Sequence, residues 1–277
     1  MSTWLLLAPA LVVSLLMLAA HTYFGLHVLA RGIIFVDLAL AQIAVLGLSF
    51  AFLMGYEAHS PYSHGFAFAA ALLAAGGFTL LRNIPSKITR EVTIGTVYVV
   101  ATALTVVILS RSNQGMEELK SMLNGNILFA RWSEISTLAL VYLAVAILHV
   151  VFFRHFAALS FEGGLPRRGM LWEFLFFASF ALVITLGVDF AGVLLVFAYL
   201  IIPAFSASLL SDHFGLRFLL GFLLGLVASI MGLWLSFLAD LPTGATMVAS
   251  LGLLPIVAAA LHWWIKHRST GKNFSDT

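Results

Sequence analysis

Residues 171–210 read LWEFLFFASFALVITLGVDFAGVLLVFAYLIIPAFSASLL, forty positions almost without charge. A helix crossing the hydrocarbon core of a bilayer needs about 20 apolar residues, so this stretch alone has room for two crossings. Strands would instead alternate lipid-facing and polar residues over about ten positions, and no such alternation occurs. It divides into two runs, and seven further runs of similar character lie outward from it. In order, the nine are Trp4–Leu29, Ile33–Met54, Phe66–Leu81, Val92–Leu109, Ile135–Phe153, Leu171–Val188, Ala191–Leu210, Phe218–Leu238 and Ala245–Ile265. The fold class is therefore all-α, a polytopic integral membrane protein with eight or nine transmembrane helices. Nine is favoured over a single bent segment around Gly187–Phe190. Residues 1–265 form one membrane domain, followed by a polar tail, 266–277.

Composition supports this reading. Of 277 residues 62% are hydrophobic and 9% charged, with mean hydropathy +1.07, whereas soluble domains carry about 25% charged residues. A soluble globule, a disordered chain and a nucleic-acid binder are excluded. There is no cysteine, which removes disulfides, thiolate metal sites and thiol nucleophiles. The start, Met-Ser-Thr-Trp, lacks a basic segment and leads into a run too long for a secretory signal, so it reads as a retained span.

Charge sets the expected orientation. With the N-terminus outside, eleven basic residues fall on inner connections and the tail, among them Arg31, Arg82, Lys87, Arg90, Arg154, Arg167, Arg168 and Arg217. Only Arg111, Lys120 and Arg131 fall outside, a strong positive-inside bias. The C-terminus is then cytoplasmic.

Ionisable residues inside spans are costly and point to function. Asp37 is the clearest, six residues after Arg31, with Gln42 following on the same helix. Five residues turn an α-helix by about 500°, leaving these two about 140° apart; a one-residue π-bulge would bring them together. Asp37 paired with Arg31 is the plainer alternative. His21 and His27 read as interhelical hydrogen-bonders, and His149, His155, His213, His262 and His267 as residues gathered at membrane ends. Glu57, His59 and His64 cluster in an outer loop that could collect a cation or contact a partner. Asp240 precedes Leu-Pro-Thr-Gly and suits either a helix cap, shared with Thr243, or an acidic cation entrance. Asp189 has the same ambiguity, and Glu91 suits the positive end of the fourth run. Gly221, Gly225 and Ser229 form a small-residue ridge for close helix packing, within the chain or between subunits. Neither a phosphate-cradling loop nor a Gly-x-Ser-x-Gly elbow occurs, so any ATPase is another chain and the protein is not expected to be an enzyme.

Five stretches in order carry a family resemblance. They are Arg31 through Asp37 to Gln42 and Gly47; Arg90-Glu91-Val92-Thr93-Ile94-Gly95; Leu123-Asn124-Gly125-Asn126-Ile127-Leu128; Gly192-Val193-Leu194-Leu195-Val196 leading to Pro203-Ala204; and Asp240-Leu241-Pro242-Thr243-Gly244. Together the sequence resembles the permease subunits of ABC-type metal-ion importers, the zinc, manganese and iron-chelate branch. The resemblance implies a homodimer or pseudo-dimer of permeases in the bacterial inner membrane, a cytoplasmic ABC ATPase that hydrolyses ATP, and an extracytoplasmic metal-binding protein. No covalently bound cofactor is implied; the divalent metal is cargo, with zinc and manganese the leading candidates.

On this resemblance Asp37, Gln42 and Asp240 belong to the translocation pathway. The loop His155–Gly169, with Phe161, Glu162, Arg167 and Arg168, docks the ATPase, and Ser160-Phe161-Glu162 resembles the family's Ser-Phe-Asp. The family commonly has histidine four residues after the aspartate, where this chain has Ala41 and then Gln42. Carboxylate plus amide is a harder, weaker donor set than carboxylate plus imidazole, which suits zinc better. In the docking loop Gly163-Gly164-Leu165-Pro166 intervenes where the family continues with a short helix. A proton- or sodium-driven secondary transporter is the alternative, although the matched halves it would carry are not evident.

Overall fold

A computed structural model describes residues 3–57, 60–84, 86–111, 115–125, 127–161 and 169–272. Among them the regular structure is helical: α1 Thr3–Arg31, α2 Val36–Leu53, α3 Pro61–Leu80, α4 Lys87–Leu109, α5 Gly115–Asn124, α6 Trp132–Val151, α7 Phe153–Phe161, α8 Gly169–Leu210, α9 Phe214–Ala239, α10 Thr243–Leu251 and α11 Leu254–Lys272. Eight helices, with α10 and α11 counted as one, are long and apolar enough to cross a membrane.

The longest of these, α8, is two helical arms joined at a break. Gly192 interrupts the 42-residue α8 with φ 73° and ψ 165°, a region essentially reserved for glycine. Phe180 stacks on Phe24 of α1 at 4.8 Å. Twenty residues later the Leu200 carbonyl lies against Gly25, the next residue of α1. A straight helix would separate residues 180 and 200 by about 30 Å. The chain therefore turns back at Gly192, leaving arms 169–191 and 193–210 of about 35 and 27 Å, each of crossing length. The nine apolar runs thus correspond to nine helical segments among the described residues, two of them joined within α8. The second arm runs parallel to α1, and α9 returns antiparallel, with Gly221 beside Thr22 and Gly225 beside Leu18.

Local sequence explains the ends. α1 stops in a Schellman motif: Gly32 at φ 65° donates its N–H to Leu29 (3.2 Å) and Ile33 donates to Val28 (3.3 Å). Ser60 caps α3, with Pro61 in its first turn, and Ser86 caps α4, each accepting a backbone N–H at 3.2 Å.

α1, α2 and α8 fill the centre, while α4, α6, α9 and α11 present exposed apolar side chains, as expected of a lipid-facing rim. α2 and α3 approach closely because small residues line the seam. Ala67, Ala71 and Ala75 are buried at four-residue spacing, and a Cβ at Gly47 would come within 2.6 Å of the Phe66 carbonyl.

Three expectations need correction. The ridge Gly221, Gly225 and Ser229 packs inside the chain, on Thr22, Leu18, Pro203 and Tyr199, and is no free surface for a second subunit. α11 continues to Lys272, so the helix does not stop at residue 265. α2 is unbroken from Val36 to Leu53, so no π-bulge reunites Asp37 with Gln42.

Candidate functional site

Asp37 stands in the first turn of α2 and is 1% exposed. The tight turn at Gly32–Phe35 resets the helix direction, so Asp37 lies near the same end of the bundle as Arg31 rather than about 9 Å deeper, as continuous helix would give. Neither carboxylate oxygen meets a side-chain donor among the described residues. Its nearest polar support is the N-terminus of its own helix, the backbone N–H groups of Asp37 and Leu38. Arg31 does not pair with it. Glu91 of α4 brings a second negative charge within electrostatic range. Its Oε1 accepts the Phe35 N–H at 2.9 Å and its Oε2 is buried without a partner. Glu91 thus anchors the α1–α2 turn rather than merely suiting its own helix end. Gln42, about 7 Å further along α2, is also buried.

A polar hub sits where α1, α6, α7 and α8 converge. Arg31 donates through Nη1 to Glu173 (2.9 Å) and through Nε to Ser160 Oγ (2.8 Å), and His27 Nδ1 shares the same Oγ at 2.7 Å. The guanidinium lies 3.8 Å from the Phe176 ring centre, a cation–π contact. Tyr23 reaches His149 Nδ1 at 3.0 Å, and His149 Nε2 reaches Ser179 at 2.8 Å. His149 stacks on Phe156 of α7 at 4.0 Å, and His155 stacks on Trp172 of α8 at 4.1 Å. Phe161, at the end of α7, is 5.3 Å from Phe214 at the start of α9.

α7 is thereby tied to the bundle by side chains along its length. Ser160→Ala would leave Arg31 Nε and His27 Nδ1 unpaired in a buried site. A loss of about 1–3 kcal/mol is expected, read as a lower melting temperature in detergent and faster amide exchange along α7.

The structure does not gather the other expected residues around Asp37. Asp240 is exposed at the opposite end, where it closes α9 in a left-handed conformation (φ 52°). It does not cap α10: Pro242 holds that position, and Thr243 hydrogen-bonds Ser236 at 2.9 Å. Asp189 falls within the last turn of the first α8 arm. Glu57 is exposed and His64 partly buried, while His59, Glu162, Arg167 and Arg168 lie outside the described residues. Among those described, no three His, Cys, Asp or Glu side chains converge to hold a metal. His27 is interhelical as expected, but His21 binds its own helix at Met17 (2.7 Å). His149 lies in the last turn of α6 and is a buried member of the network. Glu173 went unnoticed, although an acidic residue within an apolar run is the signal that would have found it.

Comparison with known proteins places this architecture. The ABC 3 transport family matches residues 4–262. The chain belongs to the ABC 3 transport family. Among its ABC 3 relatives is the manganese transport system membrane protein MntC of Listeria innocua, 27% identical over 91% of this chain and 89% of that one. Another is the chelated iron transport system membrane protein YfeC of Yersinia pestis, 26% identical over 87% and 81%. PsaBC of Streptococcus pneumoniae, solved with a Fab, superposes with a TM-score of 0.75 at 21% identity, covering 91% of this chain and 90% of that one. A putative metal-chelate ABC transporter in an inward-facing conformation gives a TM-score of 0.67 at 17% identity, covering 91% and 85%. The protein is thus a multi-pass membrane transport permease of the ABC 3 family, which disfavours the secondary-transporter alternative.

Proposed function

We propose that this chain forms the pathway of an ATP-driven importer for a divalent transition metal, with manganese ahead of zinc. The observation that carries the reading is Asp37: a carboxylate buried in an apolar helix with no side-chain partner for either oxygen. A cation arriving there would stabilise the carboxylate in its charged form. Carboxylate and amide oxygens are hard donors that suit Mn²⁺ better than Zn²⁺, and relatives named for manganese and iron transport support the choice. Gln42 would offer its amide oxygen further along α2, and Asp240 would meet cargo at the outer surface. Weak binding is compatible with passage, since a transported ion must also leave.

The positive-inside count supports an outer N-terminus and a cytoplasmic C-terminus, which would put α7 on the inner face. There α7, from Phe153 to Phe161, would receive the ATPase, and its ties to Arg31 and His27 would carry nucleotide-driven motion to α1 and the α1–α2 turn. ATP would be hydrolysed by that partner, metal would arrive from an extracytoplasmic binding protein, and two permeases would enclose the pathway. The test is ATP hydrolysis by the chain co-reconstituted with the ATPase and binding protein encoded beside it. Stimulation by the Mn²⁺-loaded binding protein, and less by Zn²⁺, is expected. Hydrolysis indifferent to every metal would refute the reading.

A further inference from the structure

A cavity of about 290 Å³ opens beside Arg31, between the α3–α4 connection and α8. Its walls carry Arg31, Arg82, Lys87 and Arg90 against a single acid, Glu173, which Arg31 already engages. Three cations there have no ion pair among the described residues. Arg31 is 7% exposed, yet its Nη2 has no partner, and the Arg90 Nε is likewise buried and unpaired. Arg90 and Arg31 repel one another across the space. Lys87 also begins α4, so the positive end of that helix lies at the same place.

Charge of one sign around a half-enclosed cavity is unfavourable until an anion enters. Guanidinium groups match phosphate oxygens in geometry as well as charge. Leu80, Ile88 and Val92 on the adjoining turns are exposed and apolar, a surface for acyl chains rather than for water.

We infer that this cavity binds the phosphate headgroup of an anionic phospholipid. The proposal stands on the basic cavity of a membrane protein and does not depend on the identity of the cargo. A lipid seated there would tie α1, the α3–α4 connection and α8 together directly beside Ser160 of α7. Occupancy would thereby stiffen the contact between α7 and the bundle.

The test uses the full chain in mild detergent, examined by native mass spectrometry and thermal unfolding. It is titrated with phosphatidylglycerol or phosphatidylcholine of matched acyl chains, and separately with inorganic phosphate. Each basic residue near a headgroup contributes roughly fivefold in affinity, so Arg82→Gln with Arg90→Gln should weaken phosphatidylglycerol binding by about twenty-five-fold. The pair should leave phosphatidylcholine binding unchanged, and Arg131→Gln at the other end should change neither. Lys87 is exposed, so Lys87→Gln alone, with an expected loss of about fivefold, serves if the double variant does not fold. Undiminished phosphatidylglycerol retention in these variants would overturn the proposal. So would stabilisation by inorganic phosphate equal to that by phosphatidylglycerol, which would make the site one for a soluble anion.

Discussion

Gly192→Val should prevent the chain from reaching its native fold. At φ 73° and ψ 165° a branched side chain is strained by about 1–3 kcal/mol. The added Cβ would also press on the backbone of Leu123, Asn124 and Gly125, where overpacking costs a further ~1–3 kcal/mol. Gly125 itself sits at φ 64° and meets Ala191 and Gly192 backbone to backbone, so neither side can retreat. The reversal sets the second arm of α8 between α1 and α9, and its loss would expose Tyr199, Leu200 and Ala204, which are now fully buried. Size-exclusion chromatography in detergent should show aggregate in place of the sharp peak of the parent. A monodisperse, normally melting variant would mean that α8 does not turn back at this residue.

Glu173→Ala should cost about 3–5 kcal/mol, the usual penalty for leaving one member of a buried ion pair alone. Arg31 would keep only Ser160 and the Phe176 ring, with its guanidinium already short of one partner. The sign depends on which group is removed, and a second variant checks that. Arg31→Met combined with Glu173→Met replaces both charges with apolar volume and should recover most of the loss, because a buried pair often contributes little against a packed hydrophobic substitute. Thermal melting of parent, single and double variants measures this directly. A double variant as unstable as the single would show that Arg31 acts through Ser160 and His27 rather than through Glu173.

Much of the fold was legible because a bilayer leaves few choices: backbone groups must be satisfied within each segment, so apolar length alone located the long helices. What length could not convey was the shape between them. α5 is short and polar enough to read as loop, yet its end packs on Ala191 and Gly192 and buries Met122. Counting residues from Arg31 along continuous helix would put Asp37 about 9 Å deeper, whereas the Schellman turn at Gly32 consumes the interval. Residue type flagged Asp37 correctly as an unusual group in a span. The hub around Arg31 joins residues 23, 27, 149, 160, 173 and 179, whose proximity follows from packing α1 against α6, α7 and α8 and leaves no trace in local spacing. Asp240 looked like a cap because Pro242 follows it; the left-handed end of α9 took that residue instead.

If Asp37 is the carboxylate that meets the metal, metal uptake into proteoliposomes depends on it. The permease, its ATPase and its binding protein would be reconstituted with ATP on the ATPase side, and Mn²⁺ entry compared for the parent and Asp37→Asn. Asparagine keeps the shape and removes the charge, and because the Asp37 oxygens have no side-chain partner to lose and an amide oxygen can still face the Asp37 and Leu38 N–H groups, folding should be spared. The predicted result is ATP-dependent, uncoupler-insensitive uptake in the parent, reduced at least about tenfold in Asp37→Asn, which corresponds to ~1.4 kcal/mol or more of lost metal interaction, with an unchanged melting temperature. Uptake at the parental rate in Asp37→Asn would contradict the account, and would mean that the cation passes without meeting this side chain.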